Sequence, residues 1–286
     1  MAIDYAALMN FPFEDGDHCY TKRDTMLYAL GVGLGYDPLD TRQLRFVYEE
    51  NLAALPTMGV TLALAKPWLH RPESGITWGR MLHGEQAIEL HKPIPPSGTL
   101  VGETRMEEIV DKGADKGALL YMSRTVRDQA SGEAVFTARQ TLFCRADGGF
   151  GGPATEARPV HSIPDRASNL VVDLPTLPQQ ALIYRLSGDT NPLHADPAAA
   201  TKGGFDRPIL HGLCTFGIAG HAILQTVAGY QPEALRSVRA RFASPVFPGE
   251  TIRTEIWDEG AGRFAFRCTA VERNIVVVNN GLAELG

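Results

Sequence analysis

The pattern of this chain points to an α+β protein made of two similar halves. Three observations carry that reading. A Gly- and Pro-rich stretch from Asp147 to Pro178 divides the chain near its middle. Short motifs recur on either side of it in the same order. Each half opens with helical sequence and closes with a run of alternating strands, the pattern of a helix packed on an antiparallel sheet.

The dividing stretch contains Gly148, Gly149, Gly151, Gly152 and Pro153, then Pro159, Pro164, Pro175 and Pro178. Such punctuation breaks both periodicities and predicts a linker over 148–178, between halves at 1–147 and 179–286. Tyr28-Ala29-Leu30 is matched by Tyr184-Arg185-Leu186, and Leu55-Pro56-Thr57-Met58-Gly59 by Leu213-Cys214-Thr215-Phe216-Gly217. Pro93, Pro96 and Gly98 are matched by Pro245, Pro248 and Gly249. The offsets drift by only a few residues, which predicts a duplicated fold.

In the second half, Thr176 and Gln179 have capping-box spacing and Pro178 sits near a first turn. They predict a helix over Ala181 to Leu186 that breaks at Ser187-Gly188. A second helix is expected from about His211 to Ala228. It is apolar nearly all round, so it should be buried. Gly212, Gly217 and Gly220 weaken it as a helix, and close approach by neighbouring backbone would account for them. Alternation then predicts strands at 239–242, 251–256, 264–271 and 275–283, with a turn at Arg273-Asn274. The first half closes in the same way, with strands at 100–110, 118–127 and 134–145 and a turn at Ser131-Gly132.

Composition narrows the function. The 286 residues suit one large domain or two ordinary ones. With 27 Lys plus Arg against 33 Asp plus Glu, the net charge is −6, which argues against a generally basic nucleic-acid binder. No apolar run approaches the roughly 18 residues of a membrane span. Asp4, Glu14, Asp15 and Asp17 make the start unlike a signal peptide, and Glu284-Leu285-Gly286 is no organelle address. Cys19, Cys144, Cys214 and Cys268 lie too far apart for a zinc motif or a disulfide framework. Reduced thiols in the cytoplasm are expected.

The densest chemical signal is Tyr184-Arg185-Leu186-Ser187-Gly188-Asp189-Thr190-Asn191-Pro192-Leu193-His194. On a regular helix, Asp189 and His194 would diverge by about 140°. Gly188 and Asn191-Pro192 argue for a tight turn instead, which can bring carboxylate and imidazole to one side. Asn191 would sit between them with an amide for a water. Such a pair suits acid–base work near neutrality. The residues alone leave a second reading open, in which Asp189 caps a turn and His194 is an ordinary interior histidine. The next signal is Pro208-Ile209-Leu210-His211-Gly212, where a loop enters the buried helix. The first N–H groups of a helix have no partner within it, and Gly212 would let an acyl oxygen approach one of them. A glycine kept for packing is the alternative. His211 is read as shaping that loop.

The segment from Tyr184 to His194 resembles the signature of hydratase 2, the (R)-specific enoyl-CoA hydratases of the MaoC-like dehydratase group. Ile209 to Gly217, Val238 to Thr251, Leu82 to Leu90 with His83-Gly84-Glu85-Gln86, and Asp111-Lys112-Gly113 resemble the hydratase 2 part of peroxisomal multifunctional enzyme type 2. The resemblance implies a double hot-dog fold, each half a long helix wrapped by an antiparallel sheet. It implies that Asp189 and His194 are the catalytic pair, that Asn191 helps to hold the water, and that Gly212 N–H polarises the thioester carbonyl. His83, Gly84, Lys112, Thr190, Pro192, Leu193 and Phe242 become the expected substrate contacts. The first half reads Gly31-Val32-Gly33-Leu34-Gly35 where the second carries its signature, so it is expected to bind the acyl chain without catalysis. Gly31 to Gly35 also lacks the context of a dinucleotide site. No metal or cofactor is expected, since CoA is part of the acyl-CoA thioester substrate. A homodimer is implied, without nucleic acid or membrane. The rivals are an acyl-CoA thioesterase and a non-catalytic acyl-CoA-binding hot-dog protein.

Overall fold

The computed structural model describes residues 3–153 and 155–286; Met1, Ala2 and Ala154 lie outside the described residues. The strands are β1 (Asp17–Tyr20), β2 (Met81–Leu90), β3 (Gly98–Asp111), β4 (Ala118–Asp128), β5 (Ala134–Cys144), β6 (Leu170–Pro175), β7 (Leu235–Phe242), β8 (Thr251–Gly260), β9 (Arg263–Ala270) and β10 (Ile275–Leu285). They form one sheet in the order β1-β3-β4-β5-β2-β7-β10-β9-β8-β6. From either edge inwards the topology is the same: β1-β3-β4-β5-β2 in the first half and β6-β8-β9-β10-β7 in the second. The halves meet at an antiparallel β2–β7 pair, from Glu85 opposite Arg241 to Glu89 opposite Ser237.

The helices are α1 (Tyr5–Met9), α2 (Lys22–Gly31), α3 (Thr41–Val47), α4 (Gln180–Tyr184), α5 (Pro197–Lys202) and α6 (Gly212–Thr226). Every residue of α6 from Cys214 to Leu224 is buried, as its apolar circumference requires. Gly217 and Gly220 answer to side chains of the first half rather than to the neighbouring backbone expected. A Cβ at Gly217 would lie 2.6 Å from Val32 Cγ1 and 2.7 Å from Tyr28 Oη. One at Gly220 would lie 2.5 Å from Thr57 Cγ2. These contacts dock α6 onto the first half inside one continuous core.

Three expectations need correction. The proposed linker contains a strand, β6, which pairs with β8 from Leu170–Ile256 to Pro175–Thr251. The run Leu170-Val171-Val172-Asp173-Leu174 has β-branched residues and an edge position, where Pro175 costs little. The first half has no long helix: at the place matching Leu213 to Gly217 it holds a 3₁₀ segment, Pro56–Thr61. Ala63, left-handed at φ 51°, then turns the chain away, and α2 and α3 fill the remaining space. The Thr176–Gln179 capping box does not form. Thr176 Oγ1 donates to Glu250 O at 2.7 Å, and Leu177 N–H donates to Gln180 Oε1 at 3.0 Å.

Alanine at Gly217 or Gly220 tests the docking. Each substitution gains about 1 kcal/mol of helix propensity. Each also forces a methyl into an occupied space, which costs roughly 1–3 kcal/mol. The expected net result is a lower melting temperature by calorimetry for both variants; a rise would show that α6 is not held at these positions.

Candidate active site

Left-handed Gly188, at φ 114°, ends the turn Arg185–Ser187 that follows α4 and releases the chain into the signature loop. Asp189 Oδ1 accepts the Asn191 N–H at 3.1 Å. Asn191 Oδ1 accepts the Leu193 N–H at 3.1 Å and caps a 3₁₀ turn, Pro192–His194. These two side-chain turns place Asp189 and His194 on one side of the loop, the arrangement that a regular helix would forbid. Asn191 does more as a cap than expected: its side-chain oxygen is engaged by the turn.

His194 is buried, and its Nδ1–H donates to Ile209 O at 2.9 Å. That bond fixes the tautomer, so Nε2 of the neutral ring carries a lone pair. Burial lowers the pKa of His194, against the raising effects of the Ile209 carbonyl and the Asp189 carboxylate. The ring is therefore neutral at pH 7. His211, at the N-cap of α6, stacks on it with centroids 3.8 Å apart and planes at 29°. His211 Nε2–H donates to the backbone O of Asp189 at 3.2 Å. The ring of Tyr184 lies 5.1 Å away on the other side.

Gly212 is the first residue of α6, so its N–H has no partner within the helix and lies at the positive end of the dipole. Gly212 is exposed, and a Cβ there would rest 3.5 Å from the Phe242 ring. Phe242 in turn meets His83 edge-on at 5.1 Å. A β-bulge between His83 and Glu85 sets this part of β2 against the site. His83 Nε2–H donates to Glu85 O at 3.1 Å. Desolvation pushes its pKa down, with Asp189 among the opposing influences. Glu85 reaches across the β2–β7 pair to Arg241 at 2.8 Å.

The structure thus gathers Asp189, His194, Gly212, Phe242, His83 and Gly84 at the junction of β2, β7 and the start of α6. Thr190, Asn191 and Pro192 are exposed on the outer side of the loop, and Leu193 is half-buried beside Gly203. Lys112 stands apart and exposed, its Nζ 5.0 Å over Phe143. Phe143 is the strand neighbour of Leu82, one residue before His83. The Asp-Lys-Gly turn has a structural task of its own, because Asp111 accepts N–H groups of Gly113, Gly149 and Gly151.

One carboxylate oxygen of Asp189 and one ring nitrogen each of His194 and His211 lie within 4.8 Å of one another. These are metal-ligand types. The two rings are stacked at 29°, so their in-plane lone pairs lie in two nearly parallel planes.

The buried imidazoles make stability depend on pH. Burial lowers the pKa of His221 on α6 to about 4, and those of His194 and His211 also fall. Unfolded histidines take up protons near pH 6.5; the folded rings resist until lower pH. Their contribution to stability is complete above pH 6.5 and is lost as pH falls through the folded values. The melting temperature should drop already between pH 6.5 and about 5, above most carboxylate titration. A flat profile there would contradict the neutral, buried rings.

Known proteins resemble this chain along nearly its whole length. Residues 18–146 match the MFE-2 hydratase 2 N-terminal domain, and residues 159–280 match the MaoC like domain. A 3-hydroxyacyl-thioester dehydratase Y from Mycobacterium tuberculosis is 43% identical over 87% of this chain and 85% of its own length. The peroxisomal enoyl-CoA hydratase 2 of Arabidopsis thaliana is 39% identical over 91% of this chain and 89% of its own. The crystal structure of a MaoC-like dehydratase from Phytophthora capsici superposes with a TM-score of 0.87 at 34% identity, covering 99% of each chain. The chain belongs to the MaoC-like hydratase 2 family, and its two halves are the two units of a double hot-dog fold.

Proposed function

We propose that the protein is an (R)-specific 2-enoyl-CoA hydratase, a hydro-lyase that reversibly adds water to a trans-2-enoyl-CoA to give a (3R)-3-hydroxyacyl-CoA. One observation carries the reading. A carboxylate oxygen of Asp189 and a ring nitrogen of the neutral His194 lie within 4.8 Å of each other, and both residues are tied to the start of a helix whose first N–H has no partner within the helix. The relatives named as enoyl-CoA hydratase 2 and as a 3-hydroxyacyl-thioester dehydratase support it.

Water donates its hydrogens to Asp189 and to His194 Nε2. As its oxygen attacks C3, the pair takes one proton and the C2–C3 π electrons move toward the thioester oxygen. Gly212 N–H stabilises the resulting enolate; one such donor is worth about 3 kcal/mol in other enzymes. The pair then returns a proton to C2 on the same face, and the carbonyl re-forms. His194 must be neutral to accept. The second half carries this chemistry at 179–286. The first, at 1–147, supplies His83 and Gly84 and holds the acyl chain, with Lys112 meeting the CoA moiety and Thr190, Pro192 and Leu193 lining its approach.

No metal or cofactor enters this scheme, because every proton moves between water, Asp189, His194 and carbon. No helix of the described residues is long and apolar enough to cross a membrane. We place the protein in the cytoplasm, a reading that its free cysteines support. A homodimer would cover exposed Leu30, Leu182 and Leu186.

Purified protein should remove the enoyl absorbance of crotonyl-CoA or of a longer trans-2-enoyl-CoA. Asp189→Asn and His194→Ala should each lower kcat by ~10²–10⁴ while far-UV dichroism stays unchanged. Wild-type kcat/KM should stay level through pH 6.5, the ordinary histidine value, and fall only at lower pH, where the buried His194 becomes protonated. Folded variants with near-normal turnover would remove the pair from the mechanism. Release of free CoA without a hydroxyacyl product would favour a thioesterase.

A further inference from the structure

We propose that His211 is a positioning residue, which ties the backbone of Asp189 and the ring of His194 to the first turn of α6. The pair and the Gly212 N–H then keep one shared geometry.

The placement of His211 is unusual. Helix N-caps favour Ser, Thr, Asp or Asn, whose side chains bond the first turn. His211 makes no such bond, and its side chain turns into the loop instead. It is 1% exposed. Its Nε2–H holds the Asp189 carbonyl at 3.2 Å, and its ring covers one face of His194 at 3.8 Å. Asp189 and His194 stand at the two ends of the signature turn. A single ring therefore braces both ends, and the next residue along the chain is Gly212.

The bracing has two separable parts. The hydrogen bond limits how far Asp189 can drift from the reacting carbon; a misplacement of about 1 Å can cost on the order of 10²-fold in rate. The stacked ring keeps water off His194, and burial is the leading cause of its lowered pKa. The groups that face the two rings are Asp189 from the loop, Arg185 from the turn after α4, Tyr184 from α4 and the Ile209 carbonyl. Only Asp189 and Arg185 among these carry charge, and both are retained in either variant below. His211 itself resists protonation through burial and the neighbouring His194, so it stays neutral while His194 cycles.

Two variants separate the parts. His211→Phe keeps a flat ring over His194 and loses the bond to Asp189. His211→Gln keeps an N–H donor and loses the ring. The kinetic readout rests on the hydratase reading; the titration of His194, followed by its imidazole NMR signal, does not. In His211→Phe, kcat should fall roughly 10–100-fold with KM little changed, and the His194 titration should stay in place. In His211→Gln, the His194 titration should rise toward 6.5, and the acid limb of kcat/KM should rise with it. Folded variants in which neither kcat nor the titration moves would overturn the proposal. So would a loss of kcat that only tracks the loss of folded protein. If wild-type protein hydrates no enoyl-CoA, the hydratase reading falls. A His194 titration that shifts in the Gln variant alone then still supports the bracing, and one that shifts in neither overturns it.

Discussion

The end of one helix governs the rest of the structure. α6 is buried from Cys214 to Leu224, so its axis cannot tilt without disturbing both halves. Gly217 and Gly220 let Val32, Tyr28 and Thr57 press against it, which fixes its height and rotation. Its first turn therefore arrives at a defined place with an unpaired N–H. The signature loop is fastened to the same end: His194 bonds Ile209 O, His211 bonds Asp189 O, and Leu210 N–H bonds Val246 O at 2.7 Å. Asp189, His194 and the Gly212 N–H share a frame because all are tied to residues 209–212.

Joining the halves through β2 and β7 gives the site its second wall. The two strands bring His83 and Phe242 edge to face across the junction. The bulge at Gly84 and the Glu85–Arg241 pair stand on the same strands. The strand order of the sheet repeats in the two halves, but only the second half carries a long helix among the described residues. With a 3₁₀ segment in place of a helix, the first half keeps its sheet and its contacts to α6 but has no helix N-terminus of its own like that at Gly212.

Much of this was readable from residues. The apolar circumference of 211–228 located α6, and alternation located β3, β4, β5, β7, β8, β9 and β10, while β1 and β2 were not read as strands. Other features depended on tertiary context. β6 was hidden because Pro175 and Pro178 resemble linker punctuation, and an edge strand tolerates proline where a central one does not. The first half's 3₁₀ segment at Pro56–Thr61, in place of a second long helix, was not read from the matching motif. At the site, the spacing of Asp189 and His194 signalled a turn rather than a helix. The tautomer of His194 depends on Ile209, fifteen residues away, and could not be read locally. His211 left a subtler trace: a histidine where a helix start would ordinarily place a capping side chain.

The central claim is that Asp189 and His194 deliver one water across one face of the substrate. Hydration of a trans-2-enoyl-CoA in deuterium oxide, with the product resolved by NMR and chiral derivatisation, tests it directly. The account predicts a (3R)-hydroxyl at C3 and a single deuterium at C2 on the same face. A (3S) product, or deuterium on the opposite face, would contradict it.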